Sequence, residues 1–90
     1  MALKDYRGLR RILDEIREWP QVYMFKFIVP NQYGKVDKVV SLLPETGKVS
    51  FNHTKSLHYV AVTCKAEMHH PDDIVKITQE ATAIEGVLAL

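Results

Sequence analysis

The stretch "YMFKFIVPN", Tyr23 to Asn31, holds seven apolar or aromatic residues in nine, a lysine at its centre and a stop at Pro30-Asn31. Aromatic and β-branched side chains in an unbroken run, closed by proline and asparagine, define a strand running from Gln21 to Val29. The two-residue period of a strand puts Tyr23, Phe25, Phe27 and Val29 on one face, and Val22, Met24, Lys26 and Ile28 on the other. The first set is a core face. The second is too apolar to be left wet and too charged for a full core, so it requires partial cover.

Upstream, "DYRGLRRILDEIREW" repeats Leu9, Ile12, Leu13 and Ile16 at helical spacing, with Tyr6 on the same stripe. Asp5 is the candidate N-cap, Gly8 weakens the first turn, and Pro20 ends the helix by excluding its predecessor from helical geometry. Downstream, Tyr33, Val36, Val39, Val40 and Leu43 mark a second helix, broken by "PETG" at 44–47. Lys48 to His53 and His58 to Met68 read as two strands joined by "TKS", Thr54 to Ser56. The later of these alternates Val60, Val62, Cys64, Ala66 and Met68 against Tyr59, Ala61, Thr63, Lys65 and Glu67. "HHPDD" starts a third helix, with Pro71 at its first position and Asp72 and Asp73 at the positive end of the dipole. Ile74, Ile77, Ala81 and Ile84 form its buried stripe, and "EGVLAL" closes the chain as a short strand.

The order α-βαββαβ predicts a single α+β domain over 1–90. An amphipathic helix over 1–19 precedes a ferredoxin-like βαββαβ core over 20–90. Right-handed crossovers place both core helices on one face of a four-stranded antiparallel sheet, with the first and third strands central. Tyr23, Phe25, Phe27 and Val29 then meet the helices together with Val60, Val62 and Cys64. The opposite face adds Tyr59, Thr63 and Lys65 to Val22, Met24, Lys26 and Ile28, and the N-terminal helix is the available lid. Burying Leu9, Ile12, Leu13 and Ile16 there contributes roughly 1.5–3 kcal/mol each as an upper bound. Lys26 runs its methylene stem along the half-covered face and keeps its ammonium at the edge.

Bulk properties narrow the class. At 90 residues, 47% of them hydrophobic, the chain builds one small core, marginal enough that a homodimer would help it. Twelve basic against eleven acidic residues leave a charge of +1, too balanced for a dedicated nucleic-acid binder. The lone Cys64 excludes an internal disulfide or a multi-cysteine metal site and fits a reducing compartment. With neither a signal-peptide core nor an apolar run of membrane-spanning length, the chain reads as cytoplasmic, with no membrane partner.

The Trp19-Pro20 junction, "YMFKFIVPN", the hairpin ending in "YVAVTCKAEM" and the terminal "IEGVLAL" resemble the YbeD-like family of small bacterial proteins over nearly the whole chain. The resemblance implies a ferredoxin-like fold similar in shape to the ACT domains that regulate metabolic enzymes. It is a domain of unknown function, and no catalytic residue carries over. The family pattern has a Ser-x-Gly-x-Tyr-like hairpin, whereas here "SLH" precedes Tyr59 and Leu57 stands in the glycine's place.

Few residues offer chemistry. In "PNQYG" the central strand meets the next helix, with Asn31 as its expected N-cap, so Asn31, Gln32 and Gly34 are the candidate ligand-binding residues. ACT-like domains bind small ligands near this position, often across a dimer interface. Adjacent His69 and His70 point to opposite sides of an extended segment, and His53 and His58 lie roughly 30 Å from them, so "MHHPD" is a helix start and no metal site is assigned. Cys64, among valines and alanine, is a small hydrophobe. Arg10 with Asp14 and Arg11 with Glu15 pair along a solvated helix face. RNA-recognition modules of this topology stack bases on open-face aromatics, and only Tyr59 qualifies here. An acylphosphatase needs an arginine cradle that "VPNQYGK" does not have. The reading is a non-enzymatic regulatory or binding module, without cofactor, that senses a small metabolite or docks on a protein partner. The alternative is an RNA-binding module.

Overall fold

Pairing between two ten-residue strands sorts the chain into layers. The computed structural model describes residues 6–90. In order, these form α1 (Arg7–Glu15), β1 (Gln21–Pro30), α2 (Lys35–Leu42), β2 (Lys48–His53), β3 (Tyr59–Met68), α3 (Pro71–Thr82) and β4 (Leu88–Ala89). The fold is α+β, with a four-stranded sheet in the order β2-β3-β1-β4. All neighbours are antiparallel.

The register from Gln21↔Met68 to Pro30↔Tyr59 places Phe25 opposite Cys64, Phe27 opposite Val62 and Val29 opposite Val60. All six are buried, and the rings of Phe25 and Phe27 stack at 6.3 Å between centroids. Val39 from α2, Leu43 just after it, and Ile74 and Ala81 from α3 close the core, with Val87 before β4. Thr78 and Thr82 are buried in α3 as well, where polar residues were not anticipated. Each donates its hydroxyl to the carbonyl four residues back, at 2.8 and 2.7 Å, so it enters the core satisfied.

Two expectations about the N-terminal helix are corrected. Asp5 lies outside the described residues, so the cap assigned to it is not addressed. The helix does not run to Pro20. It ends at Glu15, Ile16 is already extended, and the Trp19-Pro20 peptide is cis. Side chains satisfy carbonyls beyond the helix end, the Trp19 indole N–H donating to Ile16 (3.1 Å) and Gln21 Nε2 to Glu18 (2.8 Å).

Nor does α1 cover the face carrying Met24 and Ile28. It packs beside α3, on the side of the sheet that the other helices already occupy. Leu13 is buried there, and Leu9 borders a small cavity of about 100 Å³ with Tyr23, Phe25, Phe27 and Thr78. Ile12 and Ile16 stay in water. The Tyr6 and Thr82 hydroxyls share a hydrogen bond, and Arg10 pairs with Asp72 as well as with Asp14 (3.4 Å). Burial of Leu13 anchors the helix there, and Arg10 reaches the acidic start of α3 rather than a sheet face that carries Lys26 and Lys65.

The remaining differences are local. Tyr33, expected on the α2 stripe, is fully exposed in the turn before the helix. His58 belongs to the hairpin loop, and β4 is only two residues long. Gly47 lies where any Cβ would run into Cys64 Sγ and sit 3.2 Å from the Ala66 Cβ.

Leu13→Ala is expected to cost about 2–5 kcal/mol in a denaturant series, whereas Ile12→Ala changes stability by less than about 0.5 kcal/mol. Equal losses would return α1 to a lid-like position with both residues covered. Gly47→Ala is expected to cost about 1–3 kcal/mol by overpacking the Cys64 site. Gly8→Ala, in the open on α1, should be neutral or gain up to about 1 kcal/mol.

Candidate functional site

At the end of the sheet where β1 meets α2, three loops converge. Asn31 does not cap α2. The N-cap is Gly34, in left-handed conformation at φ 80° and without a side-chain cap. Asn31 falls one step past the Pro30↔Tyr59 pair, so it is opposite the hairpin and extends the ladder. Its backbone N–H donates to the His58 carbonyl (2.8 Å), and its Nδ2 donates to the Leu57 carbonyl (2.8 Å). Across the same space, Lys35 Nζ donates to the Glu85 carbonyl (2.8 Å), tying α2 to the loop before β4.

These ties frame an open cleft of about 430 Å³, bordered by Asn31, Gln32, Lys35, His58 and Glu85 among others. Of the residues singled out in the sequence, Asn31 and Gln32 line it and Gly34 stands outside its wall. The Asn31 amide and the Lys35 ammonium each donate to one carbonyl, and Gln32, His58 and Glu85 complete the polar lining. Leu57 takes φ 60°, the left-handed region that costs a β-carbon-bearing residue roughly 1–2 kcal/mol.

The face of the sheet away from the helices forms a second site. Reading across the strands, one row is Lys48, Lys65 and Met24, and the next is Ser50, Thr63 and Lys26. Leu90 lies beside Lys26, its backbone N–H donating to the Lys26 carbonyl (2.9 Å), and Leu88 pairs with Ile28. Val22, Met24, Leu88 and Leu90 are between 51% and 72% exposed, so this face is uncovered rather than half-lidded. Lys26, Lys48 and Lys65 are exposed, and none makes an ion pair among the described residues. Lys48 directly opposite Lys65 is a like-charge pair, a mildly destabilising arrangement. The even-numbered polar run Lys48, Ser50 and Asn52 was the sequence signal for β2's share of this face.

Other reactive groups stand apart. His69 approaches Glu67 at 3.7 Å, and among the described residues no group of three or more His, Cys, Asp or Glu side chains is placed to hold a metal ion. The helix start read in "HHPDD" is present, with Pro71 first and Asp72 and Asp73 in the opening turn. Hydrogen bonding to Asp72 raises the Arg10 pKa above its ordinary value. Burial pushes the Cys64 thiol up, away from nucleophilic use. Among the described residues, no helix is long and apolar enough to cross a membrane.

Asn31→Ala should lower stability by about 1 kcal/mol through loss of the Leu57 brace. Leu57→Asn, which accepts the left-handed backbone, should raise it by about 1 kcal/mol. Chemical denaturation of both variants checks the pair, and a loss from Leu57→Asn would mean the leucine side chain holds the hairpin by packing. Compared with known proteins, the chain matches no family model, no curated protein and no solved structure.

Proposed function

We propose that this chain is a non-enzymatic binding module of ferredoxin-like fold that docks on a protein partner through the uncovered face of its sheet. The observation that carries the reading is the exposure of Val22 and Met24 on β1 and of Leu88 and Leu90 beside it, with Lys26 between the two pairs, on a face that no helix covers. Exposed apolar surface rimmed by polar residues marks interaction sites. The ferredoxin-like assignment is supported by the strand order β2-β3-β1-β4, with α2 and α3 packed on the same side. Leu57 supports the YbeD-like resemblance, since its left-handed backbone suits the glycine of that family's hairpin.

A small-metabolite reading is favoured by one observation, the cleft at the loop junction bordered by Asn31, Gln32, Lys35 and His58, with Gly34 behind it. The RNA reading has less support. Tyr59 is the aromatic residue on the open face, and it lies at the far end of β3 from Lys65.

Variants of the full chain used as bait in quantitative affinity capture separate these readings. Met24→Asp should reduce the proteins retained by wild type at least tenfold, survive nuclease treatment as an effect, and be matched by Leu88→Asp. Gln32→Ala, in the cleft, should leave the same proteins bound. Retention insensitive to Met24→Asp and Leu88→Asp would overturn the sheet-face reading, and loss on Gln32→Ala alone would move the site to the cleft.

A further inference from the structure

We infer that the occupant of the open sheet face is an acidic amphipathic helix supplied by the partner. This rests on the docking reading above and specifies the chemistry of what docks. Met24 is surrounded by amines: Lys65 is its cross-strand neighbour, Lys48 follows in the same row, and Lys26 is two residues along its own strand. The nearest acid on this face, Glu67, sits one row further on, opposite Val22, and leans toward His69. A second copy of the chain would bring the same lysines face to face, so charge selects against self-association here. A partner carrying carboxylates around apolar side chains satisfies both features at once.

Shape and chemistry select a helix over a nucleic acid. The open-face positions of β1, Val22 to Ile28, span roughly 20 Å, the length of a helix of about 14 residues. The other side of this sheet is already covered by helices, which is how a sheet face is ordinarily buried. The apolar side chains beside the lysines are Met24, Val22, Leu88 and Leu90, which pack against leucine or methionine, and the aromatic Tyr59 lies at the far end of β3, away from the lysine cluster. Glu67, two residues along β3 from Lys65, approaches His69 and makes no ion pair with the Lys48–Lys65 couple, and a bound carboxylate between the two lysines would remove their repulsion.

The test titrates the full chain with four probes, following backbone amide signals by NMR. The first is an 18-residue helical peptide with leucine on one face and glutamate on the other. The second is its lysine-for-glutamate counterpart, the third is polyglutamate, and the fourth is an oligouridylate of equal charge. The glutamate–leucine peptide should shift the amides of Met24 to Ile28, Lys48 and Lys65. It should bind at least tenfold tighter than any other probe and weaken as salt rises. Lys65→Glu and Lys48→Glu should each weaken it at least tenfold with a melting temperature no lower than wild type, while Lys38→Glu on α2 leaves it unchanged.

Equal binding of the lysine peptide or of polyglutamate would overturn the inference, as would equal or tighter oligouridylate binding on the same amides. So would a glutamate–leucine peptide that fails to bind. If that failure accompanies a Met24→Asp effect on captured proteins, the docking reading stands and only the acidic occupant falls. If Met24→Asp has no effect on capture, both fall together.

Discussion

The ten-rung pairing of β1 with β3 is the constraint on which the rest of the molecule depends. Its register, from Gln21↔Met68 to Pro30↔Tyr59, sets which side chains of the two longest strands share a face. A slip of one residue would carry Phe25 and Phe27 out to water and bring Lys26 into the core, so the burial pattern itself holds the register. The ladder also decides the end of the sheet. Asn31 lies opposite the hairpin because the pairing runs through Pro30, and that position, not helix capping, determines what its amide does.

From this ladder follows a division of labour between faces. The core on the helix side is dry, with Phe27 and Val62 essentially inaccessible, and its polar members Thr78 and Thr82 are internally satisfied. Stability therefore resides there. The other face leaves Val22, Met24, Leu88 and Leu90 exposed and sets Lys48 opposite Lys65, a mildly destabilising pair.

How much of this was legible in the sequence depended on range. The β1 and β3 faces were readable because alternation is a local property, and Val60, Val62, Cys64, Ala66 and Met68 are all buried as the period requires. The apolar stripe of α1 was readable too, but its docking was not. Leu9 and Leu13 show that one side is apolar without saying which of two apolar surfaces receives it. The Asn31 cap failed for a related reason. Asparagine before a helix is a good local signal, yet a carbonyl from Leu57, distant in sequence, claims its amide, and Gly34 takes the cap instead. Leu57 gave no local signal, since leucine rarely adopts the left-handed backbone that it takes here.

The placement of α1 shows the same physics acting within the chain. Two faces were open to a helix with Leu13 at its centre. One, beside α3, presents Asp72 and Asp73; the other presents Lys26, Lys48 and Lys65. A helix carrying Arg7, Arg10 and Arg11 would add positive charge to the second face, whereas on the first Arg10 reaches Asp72. Hydrophobic burial, being non-directional, would have accepted either surface. On the first surface the Arg10–Asp72 contact adds to the burial of Leu13, and among the described residues the lysine face has no lid. The helix we propose for that face carries the charge α1 does not, with apolar residues to meet Met24 and carboxylates to reach the amines around it.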